Sequence, residues 1–148
     1  MKPQVPRTLQ GLAGTLLAEL APRLADDYAQ KNAAVVAGLL LVAAEEWDRA
    51  AERRVAEHAA LRRLFAEVAP RVESAPLRER LEEAARGRDP GLRISLLDQE
   101  NARLRGLLIE LHEHLEGQPG DAARALEERV WAELRAEVER RAIGFWPL

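Results

Sequence analysis

The 148-residue chain has no cysteine, one tyrosine and two phenylalanines, and its aromatic content is only 4%. Without cysteine there is no disulfide framework, no thiolate metal centre and no cysteine nucleophile. Threonine occurs twice and isoleucine three times, beside 27 alanines and 24 leucines. Strands favour β-branched and aromatic residues, whereas helices favour Ala, Leu, Glu and Arg. The composition therefore predicts an all-α fold. A basic excess is also missing: 22 basic residues stand against 25 acidic ones, for a net charge of −3. That balance argues against a nucleic-acid partner, which calls for a basic surface.

Long apolar runs are absent too. The longest run of small and apolar residues, 33–44, has twelve residues, and a membrane span needs about 20. The first ten residues carry Pro3 and Pro6 and no continuous apolar stretch of the kind a secretory signal needs. The reading expects a cytoplasmic chain with no membrane association. Its length suits one domain. Residues 1–7 read as an N-terminal arm and 142–148 as an apolar tail. Between them the sequence predicts a bundle of four or five helices with one long central helix.

Thr8 is the expected cap of a first helix, with Leu9, Leu12, Leu16 and Leu20 on one stripe. Pro22 interrupts it. A long helix then starts near Tyr28 to Asn32 and runs through Val36, Leu39, Trp47, Leu61, Phe65 and Val68 to Pro70. Residues 35–44 are apolar nearly all round, so this segment is expected at the centre of the bundle. A short helix spans Pro76 to Arg86. The breaks Gly87-Arg-Asp-Pro-Gly91 and Gly117-Gln-Pro-Gly120 set off a fourth helix, 92–116. Asp121 is the expected cap of the last helix, which reaches about Arg141.

The fourth helix carries the clearest pattern. Ile94, Leu97, Asn101, Leu104, Leu108, Leu111 and Leu115 alternate steps of three and four, an unbroken heptad. Leu at each d position with one Asn at an a position favours a parallel two-stranded coiled coil, because paired Asn side chains satisfy each other in that register. A helix inside a single-chain bundle uses the same seam, and Leu96, Leu107 and Ile109 widen the apolar face as a bundle requires. The seam therefore serves either the chain's own bundle or a homodimer. For the dimer the candidate interface residues are Leu97, Asn101, Leu104, Leu108 and Leu111, with Phe145 and Trp146 of the tail as aromatic anchors.

Metal chemistry has four candidate residues, Glu45, Glu46, His112 and His114. His112 and His114 are two residues apart, so on a helix they point about 200° apart and do not readily share an ion. The same-face pairs are Glu110 with His114 and His112 with Glu116. A di-iron bundle needs Glu-x-x-His twice, and the chain has no such pair. His58 stands alone near the stripe of the long helix and reads as a packing residue. The sequence assigns no catalytic residue and no cofactor.

Glu45-Glu46-Trp47-Asp48 is similar to the first acidic half-motif of the helical nucleotide pyrophosphohydrolases, a likeness that implies a metal-dependent hydrolase. The first half of the chain resembles a family of small uncharacterised all-helical bacterial proteins. These are encoded beside acyl-CoA dehydrogenase-like and aminoglycoside-phosphotransferase-like genes. The likeness rests on Leu20-Ala-Pro-Arg-Leu24, on Asn32-Ala-Ala-Val-Val-Ala-Gly38 and on Glu45-Glu46. It implies an accessory protein to a kinase- or dehydrogenase-like enzyme and supplies no catalytic residue. Together these readings favour a non-catalytic helical interaction protein, with a homodimer or another protein as partner.

Overall fold

The computed structural model describes residues 4–142. It is all-α, with five α-helices: α1 (Val5–Thr15), α2 (Asp27–Val68), α3 (Ala75–Arg86), α4 (Ile94–Glu116) and α5 (Asp121–Arg140). The described residues contain no strand. Helix α2 has 42 residues and is unbroken. No helix is long and apolar enough to cross a membrane.

Prolines mark the junctions as their chemistry requires. Pro6 and Pro76 occupy the first turns of α1 and α3, where the missing N–H costs nothing. Pro22 and Pro70 sit in short 3-10 turns, Ala21–Arg23 and Ala69–Arg71, which stop the helices before them. Between Thr15 and Ala21 the backbone relaxes into one π-turn, Leu16–Leu20.

Two expected caps are corrected. Helix α1 starts at Val5 inside the presumed arm, with Gln4 as its N-cap, and the Thr8 hydroxyl donates back to the Gln4 carbonyl at 3.2 Å. At α5 the N-cap is Gly120, whose φ of +116° suits glycine, and Asp121 lies in the first turn. There its charge still complements the helix dipole.

The described residues divide into two compact units, 4–50 and 51–142. The larger unit holds the hydrophobic core. Leu61, Leu64, Phe65 and Val68 of α2 meet Leu77 and Leu81 of α3, Leu104, Leu107, Leu108, Leu111 and Leu115 of α4, and Leu126 and Val130 of α5. Bidentate Arg129 to Glu67, both bonds at 2.8 Å, ties α5 to α2. Arg80 to Glu110 ties α3 to α4, with Nη2 to Oε1 at 2.9 Å.

The smaller unit is built from α1 and the first half of α2. Ala13, Ala37, Ala44 and Ala50 are its buried residues. Here the structure corrects the expectation that 35–44 is the most buried segment. Ala37 is buried, and Leu41 and Ala44 line a groove with Pro6 and Gln10 of α1, but Val35 (61% exposed), Val36 and Leu39 (62%) face outward. Trp47, expected in the core, is 64% exposed. The apolar stripe of α2 is thus covered in its second half and bare in its first.

Candidate functional site

Asn101 decides which partner the heptad of α4 serves. Leu97, Leu104, Leu108, Leu111 and Leu115 are all buried by the chain itself. Asn101 Nδ2 donates to Glu57 Oε2 at 2.9 Å, and Asn101 Oδ1 accepts from Arg105 Nε at 2.7 Å. Both ends of the amide are satisfied without a second copy. The interface reading for Leu97, Asn101, Leu104, Leu108 and Leu111 is therefore corrected: this seam closes within the chain. Ile94, at the start of the seam, is exposed. Phe145 and Trp146 lie outside the described residues.

Glu57 anchors a buried polar cluster. Its carboxylate accepts two bonds from Arg141, Nε to Oε1 at 2.7 Å and Nη2 to Oε2 at 2.9 Å, besides the one from Asn101. Arg105 stands between Glu57 and Glu137 and pairs with the latter. Burial works to raise the Glu57 pKa, but the bonds and charge of Arg141, with Asn101 and Arg105, bring it below the ordinary carboxylate value. Burial and the neighbouring Arg141 lower the Arg105 pKa, against the pull of Glu57.

A second cluster fixes the loop after α3. His58 is fully buried, and its Nδ1 lies 2.8 Å from Asp89 Oδ1. The same oxygen accepts from Arg62 Nη1 at 2.8 Å, and Arg62 Nη2 donates to Glu100 Oε1 at 2.7 Å. A His–Asp pair can act as a general base only where the far ring nitrogen reaches a substrate. Here that nitrogen, Nε2, is enclosed with no hydrogen-bond partner. The pair is a structural tie between α2 and the Gly87–Gly91 turn.

The four metal candidates fall in different units, Glu45 and Glu46 in the smaller, His112 and His114 in the larger. His114 Nε2 lies 2.9 Å from Gln118 Nε2, one turn on. His112 sits between two carboxylates, with Nδ1 3.7 Å from Glu116 and Nε2 3.9 Å from Glu127. Its ring meets Trp131 edge-on at 5.4 Å. Ligand atoms of His112, Glu116 and Glu127 all lie within 4.8 Å of one another. One ring nitrogen and one oxygen of each carboxylate thus have the spacing of a three-ligand set. The same contacts hold the histidine between α4 and α5. The His112–Glu116 pair was legible from its spacing; Glu127 was not, because it depends on how α5 packs.

In the smaller unit two open grooves share Pro6, Gln10 and Asp48, one of them lined also by Gln4 and Trp47 and the other by Leu41, Ala44 and Glu45. Glu45 accepts from Arg49 Nη1 at 3.0 Å, so this carboxylate is engaged as an ion-pair partner one turn away. Past the grooves, α2 presents its uncovered apolar face. Tyr28, Val35, Leu39 and Trp47 are all exposed, with no charged residue between Lys31 and Glu45. This exposed apolar face is the candidate interaction surface. No protein-family model matches the sequence, and no curated protein and no solved structure matches it.

Proposed function

We propose that the protein is a non-catalytic helical interaction module of the bacterial cytoplasm that works through the bare face of α2. One observation carries this reading. Residues 35–44 are apolar around the whole helix, yet only one side is covered by the chain, leaving Val35, Val36 and Leu39 outward. A helix apolar all round is stable in water only when neighbours cover it. The missing neighbour comes from outside the described residues, as a second copy or as an enzyme of the kinase- or acyl-CoA dehydrogenase-like kind implied by the resemblance of Leu20–Glu46.

Metal analysis of purified protein tests the class. The module reading predicts no stoichiometric divalent ion and no change on Glu46→Ala or His112→Ala. A stoichiometric ion lost in those variants would overturn it in favour of a metal-dependent hydrolase of the pyrophosphohydrolase kind.

A further inference from the structure

We infer that the neighbour of α2 is a second copy of the same helix, packed antiparallel about a two-fold axis at Gly38. This rests on the interaction-module reading and names its partner. The first support is the charge order along one flank of the bare face. Asp27, Lys31, Gly38, Glu45 and Arg49 lie on the same side of the helix at about 100° per residue. Lys31 and Glu45 are each seven residues from Gly38, and Asp27 and Arg49 are each eleven. A two-fold axis at Gly38 therefore sets Lys31 against Glu45 of the second copy, and Asp27 against its Arg49. Every facing pair is of opposite sign, and the pattern complements itself as an isologous contact requires. A parallel copy would instead set each of these residues beside its own kind.

The second support is Gly38 itself. Glycine weakens a helix interior, and nothing in the chain calls for it, since a side-chain carbon added there meets no atom within 4 Å. Gly38 falls where the two backbones come closest under the proposed symmetry, and there a side chain would hold the helices apart. The apolar surface supports the same register. On one flank Val35 meets Leu39 of the second copy, and Tyr28 sets its hydroxyl opposite the Glu46 carboxylate.

In the isolated chain Asp27 pairs with Lys31 at 2.6 Å and Glu45 with Arg49 at 3.0 Å. The exposed Asp27–Lys31 pair contributes little and is shared across the axis at small cost; the half-buried Glu45–Arg49 pair is the costlier of the two to share. The strip from Asp27 to Arg49 is about 33 Å long and hides on the order of 500 Å² per copy. That is the lower end of specific interfaces, so association is concentration-dependent in the micromolar range.

The test is sedimentation equilibrium on the full chain and three variants. Wild type is expected to shift with concentration from 16.5 kDa towards twice that mass. Gly38→Leu is expected to abolish the shift while leaving the melting temperature equal or higher, which separates lost pairing from lost folding. Asp27→Arg and Arg49→Glu each weaken self-association by about tenfold. Mixed one to one, they recover the wild-type shift, because each supplies the charge that the other needs across the axis. A Gly38→Leu dimer, or variants whose mixture is no stronger than either alone, would overturn this register. A wild type of 16.5 kDa at every concentration would overturn the second copy as occupant. It would leave the module reading to stand or fall on the metal analysis.

Discussion

Asn101 of α4 donates its amide to Glu57 of α2 across 2.9 Å, and the same carboxylate takes both arms of Arg141. The contact joins the one polar residue of a leucine seam to an acid almost wholly removed from water, 4% exposed. Asn101→Leu should therefore lower stability by about 1–3 kcal/mol, because Glu57 and Arg105 each lose a partner. The oligomeric state should not move. Urea denaturation with sedimentation checks both halves; a more stable variant would show that the amide contributes nothing within the chain.

The pH dependence has a definite sign. The folded pKa of Glu57 lies below its unfolded value, so the unfolded chain binds the proton first on acidification. Its stabilising contribution is complete above the unfolded value, about 4.3, and is lost as pH falls through the folded one. Glu57→Gln should cost about 1–3 kcal/mol at neutral pH and flatten the loss of stability below pH of about 4. Denaturation midpoints across the acid range test this, and parallel curves for wild type and variant would contradict it.

The two halves of α2 should respond differently to truncation. Phe65 is fully buried, so Phe65→Ala should cost about 3–5 kcal/mol. Leu39→Ala, at an exposed site, should change the stability of dilute protein by about 0.5 kcal/mol or less. Thermal unfolding of both at low concentration is the measurement; equal losses would mean that the chain itself covers Leu39.

Asp89 holds His58 and Arg62 through a single oxygen, both at 2.8 Å. Asp89→Ala should leave the fully buried His58 ring with no partner at either nitrogen, costing about 1–3 kcal/mol. Amide exchange should speed up in the 87–93 turn and stay unchanged in the middle of α4. Protection in the turn equal to that of wild type would show that the tie is dispensable.

Much of this architecture was legible in the sequence because helices announce themselves locally. Pro22, Pro70 and Pro76, with the two glycine-bounded breaks, set the junctions. The heptad of α4 marked a seam whose leucines are indeed buried. Capping was less legible: Thr8 and Asp121 are good caps by type, but the backbone ends are set by Gln4 and Gly120. Periodicity could not say which element covers a stripe. Val35, Leu39 and Trp47 share the apolar pattern of Leu61 and Phe65, yet only the latter two are buried. The partners of Asn101 and His58 were equally hidden, since Glu57 and Asp89 become neighbours through tertiary packing. The signal available was Glu57-His58, a polar pair on the buried side of an apolar helix.

The pairing of α2 with a second copy is tested most directly by the mass of the wild-type protein at equilibrium in the centrifuge, measured with Leu39→Asp beside it. Wild type should rise from the 16.5 kDa of one chain towards twice that value across micromolar concentrations. Leu39→Asp, which places a charge on the seam, should remain at one chain's mass with unchanged helicity. A wild type that holds a single chain's mass throughout, or a Leu39→Asp variant that dimerises as the wild type does, would contradict the account.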